Sequence, residues 1–275
     1  MSWIKPPQLP PQAQLQGMVA DWFGSELGQQ LLAQQQLQLD PLMPKLFGYH
    51  LLQVSVLDDI DLTIKSPAGH RFMLLSQQHT STVETAFVGT MESLPIASEC
   101  VDAVVLHHTL DFAQNPHQTL REAVRVLRPG GRLIIVGFNP HSFWGLYRLA
   151  HRRLSKRQLL TAPWVAHFMA SRRIYDWLSL LEMRPEKIVS GFFRPPWKSS
   201  RWMERLQRLE SWGAKSGSNN GAYWIIYASK ETCSVTPIGR RWRHRFALPV
   251  TGVSPSVRSK QQVRRQQKTV EIDPS

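Results

Sequence analysis

The chain of 275 residues has only two cysteines, Cys100 and Cys233, which excludes a disulfide framework and a four-cysteine zinc site and suits a reducing compartment, the cytoplasm. It has no apolar run of membrane-spanning length. The proline-rich start from Met1 to Pro11 lacks the basic and apolar blocks of a signal peptide. Ten histidines are present without a single His-x-x-x-His or Cys-x-x-Cys spacing, so a metal centre is not expected. Acidic residues are scarce as well, 20 against 33 lysines and arginines, for a net charge of +13. What is there is the composition of a folded chain. Apolar residues make up 42% and charged residues 19%, and the length suffices to bury a full α/β core.

The positive charge is unevenly spread. Residues 1–140 hold 8 basic and 12 acidic groups, residues 141–230 hold 16 and 5, and residues 231–275 hold 9 and 3. Eight of the ten tryptophans also lie beyond residue 140. Interleaved guanidinium and indole groups suit phosphates, nucleic acid or an anionic membrane face; a tryptophan core with a solvated arginine rim is the alternative. The candidate contact residues are Arg152, Arg153, Arg157, Arg172 and Arg173, with the basic tail.

Periodicity divides the middle of the chain into alternating elements. Ser25 to Leu39 reads as a helix capped by Ser25. His50–Leu57, Arg71–Ser76 and Thr85–Gly89 read as short strands, and Val101–Leu106 as a strand buried on both faces. A helix opening at Asn115-Pro116 ends in a turn at Arg128-Pro129-Gly130-Gly131, followed by a strand from Arg132 to Phe138. This is a βαβ crossover, which predicts a parallel sheet. A helix over Arg172–Met183, a strand over Lys187–Phe193, a helix over Trp202–Trp212 and a last strand over Ala222–Ala228 follow. The segments group as a helical extension (1–44), an α/β domain (45–230) and a basic tail (231–275) expected to be disordered.

Three blocks carry a family resemblance: Gly89-Thr90-Met91-Glu92-Ser93-Leu94-Pro95-Ile96, then Val101-Asp102-Ala103-Val104-Val105, then Leu120-Arg121-Glu122 through Arg125 to Leu133. In this order and spacing the chain resembles the class I S-adenosylmethionine-dependent methyltransferases of type 11. Phe47-Gly48-Tyr49-His50 and Gly137-Phe138-Asn139-Pro140 with Trp144-Gly145-Leu146 resemble a narrower bacterial, YafS-like group. The resemblance implies a Rossmann-like α/β fold, a mostly parallel seven-stranded sheet with its last strand antiparallel, and S-adenosylmethionine lying across the carboxyl ends of the central strands.

Three departures from the family pattern stand out. The loop after the first strand, Gln53-Val54-Ser55-Val56-Leu57-Asp58-Asp59, holds no glycine; Ser76 stands near the family's ribose-binding acid; and Thr90 replaces the aspartate before the adenine pocket. The resemblance assigns cofactor contacts to Gln53, Ser55, Asp58, Ser76, Thr90, Met91, Glu92, Leu106 and His107, and substrate contacts to Asn139, Pro140 and Trp144. His107 is the candidate general base, with His108 on the opposite face of the strand, and a structural histidine pair is the competing reading. Asp102 is expected to satisfy backbone donors at the strand entrance. In-line methyl transfer needs positioning and no metal, so the implied activity is methyl transfer to a small or acidic acceptor. The alternative is an inactive fold that binds nucleic acid or an anionic membrane surface.

Overall fold

In the computed structural model of the protein, which describes residues 9–75, 85–154, 162–196 and 220–231, the apolar runs become the strands of one sheet. In chain order they are β1 (His50–Ser55), β2 (His70–Leu75), β3 (Ala86–Val88), β4 (Val101–His107), β5 (Leu127–Phe138), β6 (Met183–Gly191) and β7 (Tyr223–Lys230). Their spatial order is β3-β2-β1-β4-β5-β7-β6. The first five pair in parallel, and β7 inserts between β5 and β6, antiparallel to both. The order reverses between β1 and β4, and open parallel sheets gather ligands outside the carboxyl ends at such a switch point.

Among the described residues six α-helices, α1 (Gln12–Gly24), α2 (Glu26–Leu39), α3 (Thr109–Phe112), α4 (Pro116–Val126), α5 (Phe143–Leu154) and α6 (Ser171–Leu180), accompany the sheet. Side chains alternate along each strand, so the sheet feeds two cores. Leu51, Val105 and Val136 meet Val19, Phe23, Leu31 and Leu39 of α1 and α2 on one face. Leu52, Val104 and Ile135 meet Leu120 and Val124 of α4 and Ile174 and Leu178 of α6 on the other. The N-terminal helices are therefore a layer over the sheet. Ser25 caps α2 by accepting the Gly28 N–H at 3.3 Å. At Gly28 any side chain would collide with the Trp22 carbonyl, so glycine is what lets the two helices meet there.

Several expected boundaries move. Leu127 pairs with Val101 and Arg132 with Ala103, so Arg128-Pro129-Gly130-Gly131 is a bulge inside β5 rather than a turn before it. Gly130 takes φ 77°, and a Cβ on Gly131 would sit 2.7 Å from Leu127, which is why two glycines stand there. The link from β1 to β2 contains no helix, and β6 starts at Met183 rather than Lys187. Helix α5 matches no expected element; it buries Trp144 and leaves Phe143, Leu146 and Leu149 exposed. The expected helix over Trp202–Trp212 and the tail from Thr232 onward lie outside the described residues.

Candidate functional site

At the carboxyl end of β4 the chain places His107 and His108, both fully buried. Strand alternation predicts opposite faces for the two rings. His108 instead leaves the strand with φ 52°, in the left-handed region, and its ring lies edge-on to His107 with centroids 4.7 Å apart. Both rings reach Gln35 of α2, and one hydrogen-bond chain follows. The Leu57 N–H donates to Ser55 Oγ (3.1 Å), whose hydroxyl donates to His107 Nδ1 (3.0 Å). His107 Nε2–H donates to Gln35 Oε1 (3.1 Å), and Gln35 Nε2–H donates to His108 Nε2 (2.8 Å). His108 Nδ1–H then donates to Asp111 Oδ2 (2.8 Å), which also accepts the Phe138 N–H (2.9 Å).

This assignment closes only if both imidazoles are neutral. The energetics agree. Burial, then the neighbouring His108, holds His107 well below the ordinary imidazole range, and burial pushes His108 down to about 3. Burial also raises Asp111 well above the usual carboxylate range, against the Phe138 N–H and the Arg148 charge. His107 is thus a core residue that fastens α2 to the sheet, which corrects its assignment as a base facing a cleft. Ser55 belongs to the same chain of bonds, and Leu106 packs into the second core.

A second cluster lies beyond the switch point. Arg125 donates to the carbonyls of Leu94 and Ile96 and pairs with Glu122 at 2.9 Å, while Glu122 accepts the Leu94 N–H. This clamp is what the blocks Leu94-Pro95-Ile96 and Glu122 to Arg125 encode together. It holds the loop that carries Thr90, Met91 and Glu92. Below the loop is a hollow of about 40 Å³ lined by Val56, Met91 and Phe112 and, from α1, by Leu15, Gln16 and Val19. Glu92 and Gln114 stand at its edge, where Glu92 Oε1 accepts the N–H groups of Gln114 and Asn115. Asp58 accepts a bond from Gln16 at 3.3 Å, which ties α1 to the loop after β1.

Other sequence candidates fall elsewhere. Gln53 points to the α1–α2 face, stitches the β1–β2 link through Ile60 O and Leu62 N, and lines a separate polar groove of about 520 Å³. Thr90 is exposed and its hydroxyl faces Ser93 O at 3.5 Å. Asn139 is buried and locks a turn, donating to Gly221 O and accepting the His141 N–H. Trp144 is core, its indole donating to Arg194 O. Pro140 lines a hollow beside α5. Ser76 and Arg157 lie outside the described residues. Arg172 and Arg173 are exposed on α6, Arg173 lying over the Trp177 ring. Asp102 Oδ2 accepts the N–H groups of Tyr49 and His50, each at 2.8 Å. A Cβ on Gly48, φ 137°, would collide with that carboxylate, which accounts for the glycine in Phe47-Gly48-Tyr49-His50. What sequence reasoning missed is Gln35 and the α1 wall, since glutamines in a Gln-rich helix carry no signal of a buried contact.

Comparison with known proteins bears on this geometry. A family model described as a methyltransferase domain matches residues 70–135. The Escherichia coli (strain K12) protein YafS is 35% identical over 160 residues, 58% of this chain and 62% of YafS. The chain is thus similar to a methyltransferase domain over β2 to β5 and to YafS over a little more than half its length. Its fold matches a SAM-dependent methyltransferase, possible histamine N-methyltransferase, of Thermotoga maritima with a TM-score of 0.56 at 18% identity, over 80% of this chain and 99% of that one. The demethylmenaquinone methyltransferase of Tropheryma whipplei (strain Twist) is 31% identical over 113 residues, 40% of this chain and 47% of that protein. The aligned stretches thus span less than two thirds of these curated relatives. The family match begins at β2 and leaves out β1 and its glycine-free loop, while it includes the Leu94–Arg125 clamp and the Met91 wall.

Proposed function

We propose that the protein is an S-adenosylmethionine-dependent methyltransferase acting on a small-molecule acceptor, with its cofactor seated in the hollow between Met91 and Phe112. The observation that carries this reading is a hollow at the sheet's switch point with apolar walls and a polar edge. Its chemistry fits an adenosine group: Met91 and Phe112 offer faces to a flat base, and Glu92 and Gln114 offer polar atoms at the rim. The volume of about 40 Å³ is far below the few hundred Å³ of a small-molecule site. Three of the wall residues come from α1, so α1 is the wall that gives way when the cofactor is held.

S-adenosylmethionine, when bound, supplies an electrophilic methyl group on a sulfonium. The chain's own share is binding, orientation and exclusion of water. His107 is fully buried with both ring nitrogens bonded, to Ser55 and to Gln35, so in this reading the pair takes no proton from the acceptor. Titration of S-adenosylhomocysteine into the full chain tests the reading calorimetrically. Saturable binding that Met91→Lys abolishes, with an unchanged circular dichroism spectrum, is expected. Absence of binding to the folded wild-type protein would overturn it.

A further inference from the structure

Helices α1 and α2 follow one another in the chain and are stabilised very differently. Helix α2 opens at Ser25, whose hydroxyl oxygen accepts the Gly28 N–H, and has Glu26 in its first turn. Helix α1 opens at Pro11 with no side-chain cap, and it has no acidic residue in its first turn and no basic residue in its last. The glycines differ as well. Gly28 of α2 is required by the Trp22 carbonyl, whereas a Cβ on Gly17, in the middle of α1, would meet nothing within 4 Å. Glycine is the weakest helix former after proline, because it has the most backbone freedom to lose. Packing does not call for glycine at position 17, so its effect there is to weaken the helix.

What holds α1 is its seat. The inward residues Leu15, Val19 and Phe23 are spaced four apart and buried. Trp22 meets Phe23, Phe138 and Trp144 edge-on, which fixes the C-terminal half in the aromatic core. The first half rests instead on the hollow, where Leu15, Gln16 and Val19 face Val56, Met91 and Phe112 and leave only about 40 Å³ between them. Gln16 Nε2–H donates to Asp58 Oδ2 beside it. Gly17 stands in this half, on the exposed side.

We infer that residues 12–19 of α1 are a plug on the cofactor's seat, closed in the free chain, and that the plug opens by unwinding at Gly17. Resting on the methyltransferase reading, this gives the site its regulation: the cofactor and the helical form of 12–19 compete for one space. Whatever steadies the helix therefore weakens binding by the same factor, and whatever unwinds it tightens binding. A helix that closed over the ligand to hold it would give the opposite dependence.

Position 17 allows a clean test, because its side chain would touch neither the hollow nor a neighbour. By calorimetry, Gly17→Ala is expected to weaken S-adenosylhomocysteine binding about twofold to fivefold, the size of the glycine–alanine difference in a helix interior. Gly17→Pro, which cannot stay helical, is expected to tighten it about fivefold. Without ligand, amide hydrogens over 12–19 should exchange faster than those over 26–39, and more slowly in Gly17→Ala than in the wild type. The inference falls if Gly17→Ala leaves the affinity unchanged or raises it, or if 12–19 exchanges as slowly as 26–39 in the free chain. Should Gly17→Pro not fold, the alanine variant and the exchange rates decide. Failure of the methyltransferase reading looks different: none of the three proteins binds S-adenosylhomocysteine, while the fast exchange over 12–19 and its slowing by alanine remain.

Discussion

The carboxyl ends of β4 and β5 lie side by side in the sheet and are finished in opposite ways. At β4 the chain buries two imidazoles, a carboxyl group and a glutamine amide and links them by hydrogen bonds, closing the end with α2. At β5 it begins similarly, with Asn139 bonded to Gly221 O and the His141 N–H, and then runs into a helix that turns Phe143, Leu146 and Leu149 outward. The first end tolerates polarity inside because it is paired, and the second tolerates apolar surface outside. Buried polar groups cost free energy unless bonded, so the β4 end is where stability concentrates. Exposed apolar groups cost folding little, so the β5 end is where an interaction can be built.

Breaking the β4 end is expected to have the largest effect. Gln35→Leu strands His107 Nε2–H and His108 Nε2 together, at about 1–3 kcal/mol each, and chemical denaturation should show a loss of roughly 2–5 kcal/mol. Acid comes next. His107 and His108 stay neutral in the folded state while unfolded imidazoles titrate near 6.5, so below that pH the unfolded chain takes up protons the native one refuses and stability falls. Asp111 has a raised folded pKa and opposes this, since it holds its proton in the native state above the unfolded value of 3.8. Two histidines outweigh one carboxyl, so stability is expected to fall as pH drops below about 6.5, readable from denaturation midpoints across pH. The smallest effect belongs to the β5 end, where Phe143→Ser/Leu146→Ser should change stability by no more than about 0.5 kcal/mol. A large loss there would show that the outward face is packed in the folded chain.

The same contrast explains what the sequence made legible. The sheet was readable because Val101–Leu106 and Arg132–Phe138 are apolar runs, and because the Leu94–Arg125 clamp forces distant blocks to keep their residues together. Phe47-Gly48-Tyr49-His50 was readable for the same reason, Gly48 being fixed by the Asp102 carboxylate. The functional residues were read less well. His107 sits where a base belongs, yet a left-handed residue after it and a glutamine from α2 make it structural, and neither leaves a pattern in the sequence. Helix α5 went unread although its residues carry a helical period, because Trp144-Gly145-Leu146 reads with the turn that follows β5. The α1 wall was missed because Leu15, Gln16 and Val19 acquire their role only through tertiary packing against Val56 and Met91.

The central claim is that the hollow under α1 is the cofactor's place and that α1 yields to it. Hydrogen exchange of the full chain, with and without saturating S-adenosylhomocysteine, tests this most directly. Slower exchange over 90–92 and 109–115 is expected together with faster exchange over 12–24, as the loop and α3 gain a ligand and α1 loses its seat. Protection elsewhere in the sheet, with 90–92 and 12–24 unchanged, would contradict it.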